Sequence, residues 1–226
     1  LNMPNKYTSR TVLEVMQKGS GGTSSMGGNG FAQQIAGISI GGASNSSDPS
    51  HAIIAIINSR DFANHLLSID NNLASILAWK SYDQNSKKII FKSNMYDGQT
   101  NKWVIPIPSY LQGYRALHWD LNVVRSENSG FIHLSYEHVS PTYSRYLVNL
   151  IIEEVNKIVR LQDLTETNNS LKYLYQQLRD TKESEIKLSI NQIIESQLRK
   201  KMLANIRENY AIQPIDPPFT PDLKSS

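Results

Sequence analysis

The hydrophobic positions follow two patterns along the chain. Short alternating runs, typical of β-strands, occupy Tyr7–Met16, Lys87–Ser93, Leu121–Glu127 and Phe131–Val139. The last two runs are separated by Asn-Ser-Gly, which predicts a hairpin whose loop ends with glycine. This part of the chain therefore predicts a mixed or antiparallel sheet.

Helical spacing appears twice among these strand patterns. Isoleucine, phenylalanine and leucine recur every three or four residues in Ser50–Ile69, with Asp48 as the expected N-cap and Pro49 as the first helical residue. A second short helix is expected after Pro108, up to Asp120. Between the first strand and these helices, Gly19–Gly30 predicts a mobile loop and residues 31–42 a short helix. The irregular helix intervals do not indicate the βαβ winding of a nucleotide-binding fold.

A different pattern begins at Thr142, after which neither proline nor glycine occurs until Pro214. One apolar stripe at helical spacing comprises Tyr143, Leu147, Leu150, Ile151, Val155, Ile158, Leu161 and Leu164. The stripe fails at Thr165–Ser170 and returns afterwards, which predicts a helix from Thr142 to about Asp180. A second helix is predicted for Glu185–Ile206, with these residues facing inward: Ile186, Ile190, Ile193, Leu198, Met202 and Ile206.

The predicted length of the first of these helices is the basis for an expected assembly. At about 1.5 Å per residue the helix approaches 60 Å, whereas a globule of roughly 140 residues is only about 30 Å across. The sequence thus predicts an α+β fold with a base, residues 1–140 and 207–226, and a projecting arm, residues 141–206. Because an isolated helix is held mainly by packing, another copy or the returning helix must cover it. Subunit contacts are predicted at Tyr146, Arg160, Asp163 and Glu166.

Composition excludes several classes of site. The chain has no cysteine, so a disulfide scaffold and a thiolate metal site are impossible. Its net charge of +3 is too small to indicate a nucleic-acid partner. The longest aliphatic run, Ala52–Ile57, is far shorter than the roughly 20 apolar residues of a membrane span. No signal peptide is visible in the first ten residues, and the chain looks like a piece of a longer protein.

Motifs that carry catalysis or bind cofactors are weak. The run Gly-Gly-Asn-Gly-Phe-Ala has Gln33 where a dinucleotide loop needs its third glycine, so no cofactor is predicted. His133 and His138 differ by an odd number on a strand and should face opposite sides, which argues against a shared metal. The three tryptophans, Trp79, Trp103 and Trp119, are expected to pack in the core or in an interface.

The end of the chain is rich in proline, in Ile-Gln-Pro-Ile-Asp-Pro-Pro-Phe-Thr-Pro. Proline cannot donate a hydrogen bond and pushes the preceding residue out of the helical region. The segment should therefore be extended and pair only incompletely, although its start, Tyr210–Ile215, can join a sheet.

With this ending in view, the chain resembles the periplasmic domain of Wzz-type polysaccharide co-polymerases, the chain length determinant proteins. The resemblance rests on "INQIIESQLRKKMLANIRENYAIQPIDPPFTPD", on "INSRDFANHLL" and on "LSYEHVSPTYSRYLVNLIIEEVN", and covers nearly the whole chain. The family-motif positions are Ser59, Arg60, Asp61, Phe62, Ile215, Asp216, Pro217 and Pro218. The tail "FTPDLKSS" departs from the family's more usual Pro-Glu-Lys-Pro ending.

The resemblance implies a non-enzymatic regulator in the periplasm, anchored in the inner membrane by flanking helices that this chain lacks. It implies a ring of identical subunits that sets the modal length of a surface polysaccharide made by a Wzy-type polymerase. A lipid-linked glycan is a further partner to consider.

Three alternatives remain open from the sequence. One is an export co-polymerase for capsule or exopolysaccharide that is coupled to a tyrosine kinase beyond the second span. Another is an envelope-spanning adaptor with a helical hairpin. The third is a glycan-processing enzyme that uses paired carboxylates such as Asp120 and Glu137.

Overall fold

The computed structural model of this chain describes residues 5–16 and 48–222, and within them the fold is α+β. The strands are β1 Tyr7–Val15, β2 Trp79–Asp83, β3 Lys88–Phe91, β4 Tyr96–Asp97, β5 Lys102–Trp103, β6 Leu121–Arg125, β7 Ile132–His138 and β8 Ile212–Asp216. The helices are α1 Pro49–Ile57, α2 Arg60–Ser68, α3 Asn72–Leu77, α4 Tyr110–Asp120, α5 Pro141–Asp180 and α6 Ser184–Ile206. The predicted loop at Gly19–Gly30 and the predicted helix at residues 31–42 lie outside the described residues.

The chain forms two compact units. Unit 1 contains residues 1–15, 49–155 and 212–226, and unit 2 contains residues 16–48 and 156–211. The start of α5 belongs to unit 1, where Leu147, Val148 and Ile151 are fully buried. The division predicted from the sequence places the boundary earlier, at residue 141, and stays a prediction.

A four-stranded antiparallel sheet in the order β6-β7-β1-β8 is the centre of unit 1. Alternate residues of β7 are buried, from Ile132 to His138, and so are Ser9, Thr11 and Leu13, which lie opposite three of them on β1. Helix α1 packs against β6, and α4 packs against β6 and β7. The strand patterns at the start of the chain and in the β6–β7 region are therefore confirmed.

The predicted β6–β7 hairpin is confirmed. The amide of Ser126 donates to the carbonyl of Phe131 over 2.9 Å, and the amide of Gly130 donates to the carbonyl of Ser126. Gly130 has a φ of 74°, a conformation that favours glycine. The loop includes Glu127 as well as the three predicted residues.

The single helix predicted for residues 50–69 is wrong, because two helices, α1 and α2, meet at Asn58 and Ser59. Ser59 is extended, with φ −72° and ψ 151°, and its side chain accepts a hydrogen bond from the amide of Phe62. A serine in this position satisfies an amide that has no partner at a helix start. The apolar spacing does not reveal the break, because both helices bury their apolar residues in the same unit and the pattern therefore continues across it.

The two long helices are confirmed as α5 and α6. Part of their predicted inward stripe is wrong, since Leu161 on α5 is exposed, as are Leu198, Met202 and Ile206 on α6. On α6, Ile190 is buried as predicted, and Ile194 and Ala204 are buried in addition. Among the described residues, no helix has both the length and the apolar character needed to span a membrane.

Candidate functional site

Polar side chains occupy the buried face of α5 in unit 2. Asn156, Asp163 and Thr167 are buried at helical spacing, in phase with Leu171 and Leu174 further along the helix. At Thr165–Ser170, where the apolar stripe fails, the inward face continues with the buried polar residue Thr167. Such buried groups need partners inside the protein.

Asp163 is the centre of this cluster and only 5% exposed. Its Oδ2 accepts a hydrogen bond from the hydroxyl of Tyr210 over 2.9 Å, and its Oδ1 lies 2.9 Å from Nζ of Lys200. Burial, and then the hydrogen bond to Asp163, raise the pKa of Tyr210 well above its usual value. Asp163 thereby links α5 to α6 and to the segment that follows α6.

Arg160 and Asn156 hold the chain where α6 ends. Nη2 of Arg160 donates to the carbonyls of Arg207 and Glu208 over 2.6 and 2.7 Å. The last carbonyls of a helix have no partners within it, and a cation is favoured there. Oδ1 of Asn156 accepts from the amide of Ala211 over 2.7 Å. We call Asn156, Arg160, Asp163, Lys200 and Tyr210 the polar cluster.

The four residues predicted at subunit contacts lie in different surroundings. Arg160 and Asp163 belong to the polar cluster, and the side chain of Glu166 is 64% exposed, 4.0 Å from Lys200. Tyr146 lies in unit 1, partly exposed, where its hydroxyl donates to Oδ2 of Asp70 over 3.0 Å. Partial burial and this hydrogen bond raise the pKa of Tyr146. A contact with another subunit stays a prediction for all four.

The motif at Ser59–Phe62 is the start of α2. Ser59 caps the helix, Asp61 places a negative charge in its first turn, and Phe62 is buried. A carboxylate near a helix N-terminus is stabilised by the helix dipole. Arg60 is exposed. These positions therefore have a structural role in unit 1.

The motif at Ile215–Pro218 is extended, as predicted. Residues 212–216 pair with β1, with an irregularity between Val12 and Leu13. The Thr11 hydroxyl donates to the carbonyl of Asp216 over 2.6 Å, and the Ser9 hydroxyl donates to the carbonyl of Phe219 over 2.9 Å. Side chains of β1 thus replace part of the backbone pairing that proline interrupts.

The residues considered for metal binding or catalysis lie in unit 1. His138 is buried and His133 is exposed, so the prediction that they face opposite sides is confirmed. Among the described residues, no three histidine, aspartate or glutamate side chains come together to hold a metal ion. Asp120 and Glu137 both lie close to Lys6, with distances to its Nζ of 2.5 and 3.7 Å. The two carboxylates therefore share one cation in an ion cluster.

A cleft of about 1160 Å³ opens in unit 1 between the β2–β3 hairpin, the β4–β5 loop and the start of α5. Its aromatic walls include Tyr96, Tyr143 and Tyr146. All three hydroxyls are engaged within the protein, that of Tyr96 with Asn101, that of Tyr143 with Asn72 and that of Tyr146 with Asp70. The polar cluster and the neighbouring surface of α6 are therefore the stronger candidate site.

Comparison with protein-family models gives no match, and comparison with curated proteins gives none either. Among solved structures, a fragment of WzzB, described as a polysaccharide co-polymerase from Salmonella Typhimurium, is similar to this chain. The match covers 98% of this chain and 100% of that one, at 13% sequence identity and a TM-score of 0.39. A TM-score this low does not establish a common fold, and it adds no argument about function.

Proposed function

We propose that this chain is the periplasmic domain of a bacterial inner-membrane protein that regulates the modal chain length of a surface polysaccharide, an O-antigen or a related lipopolysaccharide glycan. It acts without catalysis, as a ring of identical subunits that works with a Wzy-type polymerase. The observation that carries this proposal is an apolar surface on α6 that is exposed among the residues that the structure describes.

This surface consists of Leu198, Met202 and Ile206, at positions i, i+4 and i+8 of one helix. Their exposed fractions are 44%, 54% and 68%. We call them the outer stripe. Residues with this spacing lie along one face of a helix, which is the geometry of helix-to-helix contact. A contiguous apolar surface of this kind on a helix is typical of a protein interaction site.

The polar cluster explains why the outer stripe faces away from α5. Lys200 points to Asp163, and Arg160 holds the carbonyls at the end of α6. The rotation of α6 is therefore fixed by charged groups on its inner side, and Leu198 and Met202 are left on the opposite side. In the proposed ring the outer stripe packs on the next subunit, with Glu166 beside this contact and Arg160 and Asp163 behind it. Tyr146 of unit 1 is proposed as a separate point of contact between subunits.

The sequence resemblance supports the same function independently. Its two best-defined motifs lie on structured features, the cap of α2 and the strand β8. The resemblance in the long helix also coincides with α5, which is continuous over its 40 residues.

The proposal is tested by replacing the outer stripe in the full-length protein. The double variant Leu198→Ser/Met202→Ser should assemble poorly, because the apolar contact between subunits is lost. Light scattering of the purified membrane-embedded protein measures assembly. A gel of surface polysaccharide from the native host, deleted for the gene and complemented with each variant, should show polymer without the modal band.

The matched control is Ile107→Ser, which removes an even more exposed apolar side chain, from unit 1. It should leave assembly and the modal band as in the wild type. A wild-type assembly and band in the double variant would show that the stripe is not the interface. Loss of all polymer on gene deletion would contradict a regulatory role and favour export or synthesis.

A further inference from the structure

Trp119, near the end of α4, is 86% exposed, which is the highest exposure of any large hydrophobic side chain in the described residues. Of the two predicted environments, core or interface, the core is excluded for this tryptophan. Trp79 and Trp103, in contrast, pack edge-on against His138 and Tyr96. An exposed indole combines a large apolar body with an N–H that can still donate, which suits contact with a medium that is apolar on one side and wet on the other.

Its position in unit 1 is defined by the neighbouring residue. Asp120 lies 2.5 Å from Nζ of Lys6, the residue just before β1. Phe219 is also close to the start of β1, since its carbonyl accepts from Ser9, and its side chain is 50% exposed. Trp119 and Phe219 therefore lie at the end of the sheet where the chain enters β1 and leaves β8.

The ion cluster next to Trp119 contains one cation and two carboxylates, a formal net charge of −1. Lys6 is shared by Asp120 and Glu137, so this ion cluster offers no free cation for an acidic partner. The exposed chemistry at this end of the sheet is aromatic. Tryptophan is favoured in the interfacial layer of a bilayer, where its ring is apolar and its N–H can still reach water or lipid carbonyls.

We propose that Trp119, assisted by Phe219, inserts into the interfacial layer of a lipid bilayer. This inference depends on the proposed function in one respect. The membrane anchors of that proposal would hold both ends of the described chain close to lipid. Such anchoring gives a high effective concentration, so that even a small contact is populated. A second copy of the chain is a poorer occupant, because a stable protein interface needs roughly 800 Å² from each partner.

The test uses the chain with a C-terminal histidine tag, tethered to vesicles that contain a nickel-chelating lipid. The acyl chains of the bulk phosphatidylcholine carry bromine, which quenches a tryptophan that enters the bilayer. About one of the three tryptophans should be quenched, and Trp119→Phe should remove the quenched component. Phe219→Ser should reduce it several-fold, since the second aromatic anchor at this end of the sheet is lost.

Tyr173→Ser is the matched control, because it removes an exposed aromatic side chain from unit 2. It should leave quenching unchanged. No quenching of the tethered wild type, or equal quenching in Trp119→Phe, would overturn the proposal. A contact that requires anionic lipid and disappears in high salt would also overturn it, since the interaction would then be ionic.

A sedimentation measurement tests the remaining alternative, which is that a second copy of the chain covers Trp119. If Trp119→Ser lowers self-association of the untethered chain while the tethered wild type shows no quenching, a second copy covers Trp119 and the lipid proposal is wrong. Neither result depends on a ring or a polymerase. Failure here would leave the modal-band experiment unaffected, and failure of that experiment would leave the vesicle result unaffected.

Discussion

His138 is a buried base in an aromatic environment. It is 2% exposed, its Nε2 donates to the carbonyl of Ser75, and its Nδ1 accepts from the amide of Ser140. Both ring nitrogens thus have partners that suit the neutral ring. Tyr136 and Tyr143 pack close to it.

Burial is the main reason that the pKa of His138 is lowered to about 4. The folded state therefore binds fewer protons than the unfolded state between about pH 4 and 6.5, and stability must fall as the pH falls through this window. The expected loss approaches about 3 kcal/mol by pH 4. Urea unfolding at several pH values between 7 and 4 measures it.

The variant His138→Gln should show a clearly smaller loss over the same window, because it has no group to protonate. His133→Gln, at an exposed position of the same strand, should keep the wild-type pH dependence. Equal pH dependence in all three proteins would mean that other groups dominate the acid response.

Asp163 shows what sequence reasoning misses at this scale. The sequence identified it as one of a set of polar residues on a long helix. Its burial depends on Tyr210 and Lys200, which lie 47 and 37 residues further along the chain. A residue pattern gives the spacing along α5, but the partner on another element sets whether a carboxylate faces solvent or the core.

At the scale of the element, the break between α1 and α2 depends on the cap at Ser59. Replacing Ser59 with alanine removes the acceptor for the amide of Phe62 and should lower the free energy of unfolding by about 1 kcal/mol. Ser59→Asp should retain most of the stability, because aspartate is also a good N-cap. Thermal and urea unfolding of the purified chain check both.

Ser68→Ala is the control for this prediction. Ser68 lies at the other end of α2, and its exposed hydroxyl donates to the carbonyl of His65. Its loss should have a smaller effect, since water can replace that donor. If Ser68→Ala lowered the free energy of unfolding as much as Ser59→Ala does, the N-cap hydrogen bond of Ser59 would have no particular stabilising effect.

The elements that the sequence predicted well are those with long periodic patterns, α5 and α6. No prediction covered α3, β2, β4 or β5. The two residues each of β4 and β5 are too short for a period to be visible, and they are held by packing of Tyr96 against Phe91 and Trp103. Helix α3 has only six residues and no side-chain cap, so its existence depends on tertiary contacts.

At the scale of the whole molecule, the sheet of unit 1 joins the two ends of the sequence. Ser9 and Thr11 are buried and donate to Phe219 and Asp216 respectively. The double variant Ser9→Ala/Thr11→Val should loosen residues 212–219, because it removes both donors while keeping the strand. Hydrogen exchange of peptides from this segment should become several-fold faster.

Thr8→Ala provides the comparison, because Thr8 lies on the opposite face of β1 and pairs with Glu137. Exchange in residues 212–219 should stay near the wild-type rate in this variant. Unchanged exchange in the double variant would mean that the backbone pairing of β8 is sufficient by itself.

The sequence anticipated that the proline-rich segment joins a sheet, but not which strand receives it. The neighbour of β8 is β1, at the other end of the chain, and no local pattern encodes that pairing. The exposure of Leu198 and Met202 was missed for a related reason. On a helix with apolar residues on more than one side, only the partner decides which side is buried.

The pairing of β1 with β8 has a consequence for biosynthesis. Thr11 and Asp216 are 205 residues apart, so a ribosome working at about 5–20 residues per second needs roughly 10–40 s between making one and the other. During that interval the outer edge of β1 has unpaired amide and carbonyl groups. Nascent chains are therefore most vulnerable to wrong strand pairing until translation is almost complete.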